Sequence, residues 1–462
     1  MNSNLKYGIR DVPKKWYEWI VFTLQQVLAV FVATVLIANI CGTPVSSCLL
    51  GACIGTLVYQ LITKFRSPMF ISSCGATVSA VCGALALNAT IAFPGAVSYQ
   101  TTFVDGVNVT LALDAAGNVI GTASPNYLMV FCGGLIILAI YGIFALITHF
   151  TGVKWMNKIF PPTIVGAVTL VIGLNLATFI NGYTQINSAH SDVGILIAIA
   201  TMLITAAVSR YGKGFMKNIP FLFGLAGGYI IALIVTACGI KVVDFSPFQN
   251  MTWYPDLTFL QWRSADWSFA NLGKTALYFI PVAVCALLEH YSDHRVLSNI
   301  IGTDLTVEPG LSRTLLGDGV ASAVGTAVCG LPNTSYGESI ATTGFSKVAS
   351  VWVISAAAAV LGLMSFVGPI QAFVQSIPAC VFGGCAMILY GYIAASGLKT
   401  IINNKVDLEN NKNLIIVCVV LTVGVSGIFL FDTAFAGVSL AMVLGVILNL
   451  ILVEKKPKQI KE

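Results

Sequence analysis

Two glutamates lie in parts of the sequence that are otherwise apolar. Glu338 ends the stretch 331–338, where Pro332 and Gly337 interrupt an apolar region too long to be anything but membrane, and Glu289 lies within an earlier apolar run. Irregular backbone is tolerated at membrane depth only where it lines a protein cavity, and an ionisable residue there indicates a functional site. The two acids are therefore the first candidates for binding a polar solute.

Polar side chains crowd around Glu338. Free backbone N–H groups of a broken helix can bind the carbonyl oxygens of a ligand, and a glutamate can bind a ring nitrogen that carries a proton. Together they match a flat heterocycle with alternating N–H and C=O groups. A second interruption at 72–77 would complete the cavity, although its small residues could equally serve helix packing, and Glu338 could simply satisfy a helix N-terminus. The polar neighbours of Glu338 are Asn333, Thr334, Ser335 and Tyr336.

Glu289 begins a polar cluster that ends at His294. The i,i+4 spacing places Asp293 on the helix face of Glu289, and His294 on the face of His290. Two histidines at this spacing could bind a metal, but the full HExxH pattern and a third ligand are absent from the sequence. A solvated helix end and a proton-linked site are the other interpretations. We expect no metal and no cofactor, and we expect Glu289, then Asp293, to bind a coupling proton, because burial of a carboxylate is commonly relieved by protonation.

Two rival functional classes can be weighed from the same residues. A membrane enzyme built on His290, Asp293 and His294 has no supporting nucleophile elbow or zincin motif, so no catalytic residue is predicted. A channel fits paired acids in a closed midplane site poorly, and two buried glutamates would repel anions.

The composition indicates the broad class. Of the 462 residues, 57% are hydrophobic and 9% are charged, with a mean hydropathy of +0.87. Soluble domains contain about a quarter charged residues. The chain is therefore predicted to be an all-α, multi-pass membrane protein with no nucleic-acid partner. The 12 cysteines lie mostly in apolar runs, without a CxxC pair at metal spacing, and are expected to be small buried hydrophobes.

Apolar runs long enough to span recur about fourteen times along the chain. With the N-terminus inside, only Lys241, Arg263 and Lys274 of the 24 basic residues fall in outer loops, which predicts a cell-membrane protein with both termini cytoplasmic. Two of these runs are broken: 68–93 is interrupted at 72–75, and 335–346 is too short and too polar to span as a plain helix. They take the third position in each set of seven spans. An odd number of spans per half inverts the second copy. Paired interruptions of this kind predict a 7+7 inverted repeat with its site at the midplane. Turn signals in 98–125 predict a small β-hairpin.

Several motifs, in their order and spacing, resemble those of the nucleobase–ascorbate (nucleobase:cation symporter) family, and within it the uracil permeases. The resemblance extends over nearly the whole chain. The motifs are Leu24-Gln25-Gln26, Phe160-Pro161-Pro162, Glu289-His290, Glu308-Pro309-Gly310-Leu311, the segments 332–338 and 389–397, Lys405-Val406-Asp407, and 423–427.

The resemblance implies a fourteen-span fold in which two broken segments form short antiparallel strands. Glu289 and Glu338 would hold the base, the backbone at Gly75 and Gly337 would contribute, and Tyr336 and Tyr390 would wall the pocket. Family members usually couple uptake to protons, move a core domain against a gate domain, and are often homodimers. The implied divisions are core at 1–150 and 272–368, gate at 151–238 and 369–453, an outer loop at 239–271, and a cytoplasmic tail at 454–462.

The chain departs from the uracil permease pattern at several positions. Gly75 and Thr77 stand where these permeases typically carry aromatic residues, Asp293 stands where a histidine is frequent, and Ser339 follows Glu338 where an asparagine is usual. A pocket without the aromatic wall could admit a larger base. The sequence therefore predicts a proton-coupled nucleobase importer for which uracil is the best single substrate, with xanthine, urate or another oxo-base as the alternative.

Overall fold

The structure is a computed structural model. It describes residues 5–85, 87, 98–104, 107–113, 119–123, 126–177, 180, 191–213, 216, 220–249, 253, 267–426, 428 and 437–452. The predicted tail at 454–462 and most of the second half of the predicted outer loop, 254–266, lie outside these residues.

The described part of the chain is predominantly helical. Seven of its helices are long and apolar enough to cross a membrane, and α13 with α14, which meet at 83°, would make an eighth. Helices suit this environment because every backbone polar group between their ends is satisfied within the segment. In chain order the helices are α1 (Trp16–Cys41), α2 (Val45–Ile62), α3 (Val78–Leu85), α4 (Tyr127–Thr151), α5 (Lys154–Ile159), α6 (Pro162–Ala177), α7 (Ser191–Tyr211), α8 (Pro220–Ala237), α9 (Ser246–Gln249), α10 (Phe269–Ile301), α11 (Leu311–Ala327), α12 (Gly337–Ser346), α13 (Val351–Ser365), α14 (Gly368–Ser376), α15 (Ala379–Asn403), α16 (Asn411–Val425) and α17 (Gly437–Ile451).

Both predicted interruptions are short strands that pair with each other. Strand β1 (Ile71–Ser73) runs antiparallel to β5 (Asn333–Ser335), with Ser72 opposite Thr334. A short 3₁₀ turn (Gly75–Thr77) and α3 follow β1, and α12 follows β5. The strand pair therefore brings the beginnings of two half-length helices together from distant parts of the sequence.

Polar groups on α2 and α11 hold the two strands in place. The Thr56 hydroxyl donates to the Ile71 carbonyl at 2.7 Å, and on the other side Ser322 donates to the Asn333 carbonyl. The Asn333 amide donates to the backbone oxygens of Gly51 (2.9 Å) and Ala321 (3.1 Å), so it bridges α2 and α11. A Cβ at Gly55 would lie 2.5 Å from this amide nitrogen, which explains the need for glycine. Strand β5 is consequently held in place by hydrogen bonds to both α2 and α11.

The remaining helices pack in two sets. In the first set α11 packs against α2 and α4, and α2 also packs against α13; in the second set α15 packs against α6 and α7, and α6 also packs against α16. In the second set Gly173 lies so close to the backbone of α15 that an added Cβ would be 2.4 Å from the Ala394 nitrogen.

The predicted hairpin in 98–125 is confirmed and gains a third strand: β2 (Ser98–Val104), β3 (Val107–Leu113) and β4 (Val119–Ala123) form one antiparallel sheet.

Candidate functional site

Open space lies beside both half-helix beginnings. A Cβ added to Gly337 would meet no atom within 4 Å, and one added to Gly75 would meet only the Ile37 side chain, at 3.9 Å. Gly337 is exposed although its neighbours on β5 are buried. The first N–H groups of a helix have no partner within it and carry a partial positive charge, so these two beginnings can receive hydrogen-bond acceptors of a solute.

Glu338 lies in the first turn of α12, directly after this opening. Its side chain is partly buried, between the exposed Gly337 and the buried Ser339. Ser339 is turned away from the opening, because its hydroxyl donates to Oε1 of Gln26 on α1 at 2.9 Å. Glu338 is therefore the acidic side chain that α12 presents where the strand pair ends.

Helix α10 carries the other acids of the site. Glu289 and Asp293 are both partly buried, as expected for residues one turn apart on one face. The Ser335 hydroxyl donates to Oδ2 of Asp293 at 2.7 Å, which ties α10 to strand β5. The acids on α10 and the strand pair therefore form one structural unit.

The two histidines lie on a neighbouring, fully buried face of α10, about 100° around the helix from the acids. Neither His290 nor His294 is exposed at all. His290 Nδ1 lies 2.7 Å from Oδ2 of Asp318 on α11, and His294 Nε2 lies 2.8 Å from the Tyr59 hydroxyl. Among the described residues, no three His, Cys, Asp or Glu side chains are grouped as a metal site would require. The histidines thus join α10 to α11 and to α2.

Asp318 is a site residue to which the sequence analysis assigned no role. It is fully buried and accepts a hydrogen bond from the Thr334 hydroxyl at 3.2 Å, so it links the buried His290 to strand β5. Its only sequence signal is a carboxylate between Gly317 and Gly319 in an apolar run. Such a residue at membrane depth normally has a partner, but the sequence does not show which one.

The four carboxyl groups are close enough to influence one another. Glu289 interacts electrostatically with Glu338 and Asp318, and Asp293 interacts with all three. In the part of the chain that the structure describes, none of these acids has a lysine or arginine ion-pair partner. Carboxylates in such surroundings are costly unless they bind protons or ligand donors.

The two predicted wall tyrosines occupy different places. Tyr336 is 5% exposed and lies within electrostatic range of Glu338 and Glu289. Tyr390 is 2% exposed, and it lies on α15 within electrostatic range of Cys41 on α1 and Cys82 on α3. Its hydroxyl has no hydrogen-bond partner among the described residues. The structure therefore brings Tyr336 to the acids, and places Tyr390 where α15 faces α1 and α3.

A cavity of about 960 Å³ lies between α10 and α12 on one side and α6 and α15 on the other. Asp293 and Gly337 form its inner end, and it extends along α15 to Lys399 and Asn404. Leu288 and Ile340 supply apolar wall from the same side as the acids. Glu289 and Glu338 are not among the lining residues, although their chain neighbours Leu288 and Gly337 are.

The chain is similar to known permeases over nearly its whole length. A family model described as "Permease family" matches residues 17–433. The uracil permease of Bacillus subtilis (strain 168) is 35% identical over 99% of this chain and 97% of its own length. The uracil permease of Escherichia coli (strain K12) is 32% identical over 96% and 93%. These relatives are transporters, and the enzyme alternative is therefore wrong.

Solved structures with the same fold include the transmembrane domain of a cyanobacterium bicarbonate transporter, with a TM-score of 0.59 and 13% identity over 96% of this chain and 99% of that one. The murine Slc26a9 anion transporter in the inward-facing state gives a TM-score of 0.65 at 9% identity, over 96% and 69%. At these identities the likeness shows the fold alone. The family match and the 32–35% identical relatives show that the chain belongs to the permease family that includes the bacterial uracil permeases, as the motifs in its sequence predicted.

Proposed function

We propose that this protein is a proton-coupled nucleobase importer, with uracil as its most favoured substrate. The observation that carries the proposal is the meeting of Glu338, Glu289 and two open helix beginnings at the strand pair, in a chain 32–35% identical to uracil permeases. These elements come from three distant parts of the sequence, near 75, 289 and 337, and the strand pair and α10 bring them together.

The arrangement supports recognition of an oxo-base by complementary hydrogen bonds. A uracil-like edge presents N–H donors between C=O acceptors. Glu338 can accept from a ring N–H, while free backbone N–H groups near Gly75 and Gly337 can donate to the carbonyl oxygens. A protonated Glu289 can also donate to a carbonyl, which a carboxylate cannot do. Tyr336 would cover one side of the base.

Coupling to protons is supported by the cluster of acids. Among the described residues, no lysine or arginine forms an ion pair with Glu289. Binding of a proton can therefore offset the cost of burying its carboxylate. We assign the coupling proton to Glu289, with Asp293 as the second candidate. If base and proton occupy neighbouring positions, each favours binding of the other by the same factor. The loaded site would then carry one negative charge fewer during transport.

Movement of one helix set against the other would expose the site alternately on the two sides. We assign α1–α4 and α10–α13 to a core domain that carries the site, and α6–α8 and α15–α17 to a gate domain, as two inverted halves of about seven spans each. The cavity opens at Lys399 and Asn404, and the positive-inside rule makes that the cytoplasmic side. The structure would accordingly represent an inward-open state of a plasma-membrane protein with cytoplasmic termini.

The space at Gly75 favours a second candidate substrate. Because a Cβ there would meet only Ile37, at 3.9 Å, the pocket has room beside the base that an aromatic residue would fill. A larger oxo-base such as xanthine or urate could use this room. The same hydrogen-bonding edge occurs in these compounds, so size alone would decide between them.

The test is uptake of labelled uracil into proteoliposomes under an inward proton gradient, with a panel of unlabelled bases as competitors. We expect unchanged uracil to accumulate, to be displaced by related oxo-bases, and to stop accumulating when a protonophore is added. The variant Glu409→Gln changes an exposed acid outside the site, so it should accumulate uracil as the parent does. Failure of every oxo-base to accumulate would reject the proposal, and accumulation that survives the protonophore would reject its coupling.

A further inference from the structure

The first described residues of the chain form a strap along the end of α12. Residues 5–11, here called the N-terminal strap, lie beside residues 347–351, which connect α12 to α13. Tyr7 forms a parallel bridge with Val348. Backbone hydrogen bonds alternate between the two segments: the Lys6 N–H donates to the Lys347 carbonyl at 2.7 Å, the Ala349 N–H to the Tyr7 carbonyl at 3.0 Å, and the Val351 N–H to the Ile9 carbonyl at 2.9 Å.

Side chains fasten the strap to the beginning of α1 as well. The Tyr7 hydroxyl donates to Oε2 of Glu18 at 2.5 Å, and Lys6 Nζ lies 2.9 Å from Oε1 of the same carboxylate. At the other end of the strap, the Ser350 hydroxyl donates to the Asp11 carbonyl at 2.6 Å. Tyr7 is only 9% exposed. These contacts mean that the strap has one defined position.

The strap also reaches the cluster of apolar side chains beneath the site. Leu5 and Ile9 pack against a buried cluster that contains Ile71 of β1, Ile340 of α12 and Ala349. Strand β1 and helix α12 thus contribute to the same apolar cluster as the strap. Loss of the strap would expose this cluster on the side where residues 347–351 run.

Helix α12 depends on such external contacts for its position. It has ten residues, ends at Ser346 and is capped by Lys347, whose φ of +59° is a left-handed conformation. A helix of this length is marginal by itself, so its place is set by what it packs against. Besides the strap, Gln26 of α1 binds it at Ser339 and Thr343. One continuous piece of chain, from the strap through α1, therefore holds α12 at its middle and at its end.

We propose that the N-terminal strap is a positioning element for the base-binding end of α12. The helix rises about 1.5 Å per residue, so Glu338 lies roughly 14 Å from Lys347, and a rigid helix transmits a shift at one end to the other. Removing the strap lets α12 shift or fray, which misplaces Gly337 and Glu338. The consequence is weaker base binding with the substrate-contacting side chains all present. The inference about α12 stands on the contacts themselves, whereas its effect on the base rests on the proposed function.

The experiment compares two N-terminal deletions in the full-length protein. Deletion of residues 1–11 removes the strap, and deletion of residues 1–4 leaves it intact as the matched control. We expect the longer deletion to raise the KM for labelled uracil by about three- to tenfold, the loss expected for one or two hydrogen bonds, with a smaller change in Vmax per molecule. A peptide of residues 1–15, added on the face where the cavity opens, should restore the parent KM. Uptake kinetics of the longer deletion within twofold of the control would overturn the proposal.

Hydrogen exchange separates this inference from the proposed function. Without any substrate, deletion of residues 1–11 should speed exchange of the amides in 337–346, while residues in α15 keep their parent rates. That result supports the positioning role even if the transported solute proves not to be a base. Unchanged exchange in 337–346 would overturn it.

A point variant covers the case in which the longer deletion does not fold. Tyr7→Phe removes the hydroxyl that binds Glu18 and keeps the ring, so we expect a rise of about two- to fourfold in KM, for a weakened rather than an absent strap. Val12→Ala, which truncates an exposed side chain in the same segment, is its control. Equal KM values for these two variants would contradict the proposed role of the strap in positioning α12.

Discussion

The Ser335 hydroxyl donates a hydrogen bond of 2.7 Å to Oδ2 of Asp293. This bond joins the middle of α10 to the last residue of β5, two residues before α12 begins. The residue that replaces the histidine frequent in uracil permeases is therefore a direct partner of the strand, and also lines the cavity. Two roles can follow from one carboxylate: it can hold the strand, and it can exchange a proton with the cavity.

Two substitutions separate these roles. Ser335→Ala keeps the charge of Asp293 and removes the bond, whereas Asp293→Asn removes the charge and can still accept from Ser335 through its amide oxygen. If holding the strand is the main role, Ser335→Ala should weaken base binding about three- to tenfold and Asp293→Asn should do so less. The measurement is the dissociation constant of labelled base in detergent. The reverse order would show that the charge matters more than the bond.

Glu338→Ala should weaken base binding strongly. The substitution removes a hydrogen bond to a charged group, which is worth about 1.5–3 kcal/mol, or roughly 10–150-fold in affinity. Equilibrium binding of labelled uracil, or of whichever base proves native, checks this. Glu409→Ala, at an exposed acid on the connection before α16, should bind like the parent. A Glu338→Ala protein that binds as tightly as the parent would remove Glu338 from the site.

Gly75→Phe should narrow the range of accepted bases. The space beside Gly75 holds only the Ile37 side chain within 4 Å of an added Cβ, so an aromatic ring would fill room that a larger base needs. We expect xanthine and urate to compete less well against labelled uracil, while uracil itself still competes. Gly142→Ala on α4, which also meets open space, is the control. An unchanged competition profile would mean that residue 75 does not face the base.

The sequence was informative where local chemistry conflicts with a membrane environment. Pro332 and Gly337 break an apolar run, and Glu289 and Glu338 are acids in lipid-depth segments, so each could be recognised without knowing its neighbours. The resemblance to the nucleobase–ascorbate family implied that the two broken segments form short antiparallel strands, and the pairing of β1 with β5 confirms this. The break at Pro332 and Gly337 is a property of a single segment, and the structure confirms it as the place where β5 precedes α12.

Other parts of the site depend on contacts that no local pattern encodes. His290 and Asp318 are 28 positions apart and meet only because α10 packs near α11. The strap is a short polar stretch at the start of the chain, and its parallel bridge to Val348 spans most of the sequence. The absence of a third ligand made His290 and His294 poor metal candidates, but their actual partners, Asp318 and Tyr59, were found only in the structure.

Glu289→Gln should separate binding from proton-driven accumulation. Glutamine resembles the protonated acid in shape and can donate to a base carbonyl, so base binding should persist. It cannot release a proton, so an inward proton gradient should no longer concentrate the base. The measurement is uptake into proteoliposomes with and without the gradient, beside counterflow exchange as a test that the protein still transports. If the variant accumulates base as strongly as the parent, Glu289 is not the coupling group, and Asp293→Asn becomes the next variant to test.

A disulfide between α10 and α17 should stop transport. Cys285 Sγ lies 3.4 Å from Sδ of Met442, and both side chains are 4% exposed. Along the axis of α10, Cys285 is one helical turn before Glu289, whereas Asp293 and the cavity are one turn after it. The Cys285–Met442 contact therefore lies beyond Glu289 from the cavity, and it joins a helix of the proposed core to one of the proposed gate. Alternating access requires it to separate.

Met442→Cys places a thiol opposite the native Cys285. Oxidation should link the two helices and abolish uptake, and reduction with dithiothreitol should restore it. Met442→Ser, oxidised in the same way, controls for the other cysteines, and peptide mass mapping verifies the cross-link. Base binding measured in detergent should survive oxidation, because the cavity that ends at Asp293 and Gly337 stays open. Full uptake by a protein shown to be cross-linked would mean that α10 and α17 do not move apart during transport, and the proposed division between core and gate would then have to be drawn elsewhere.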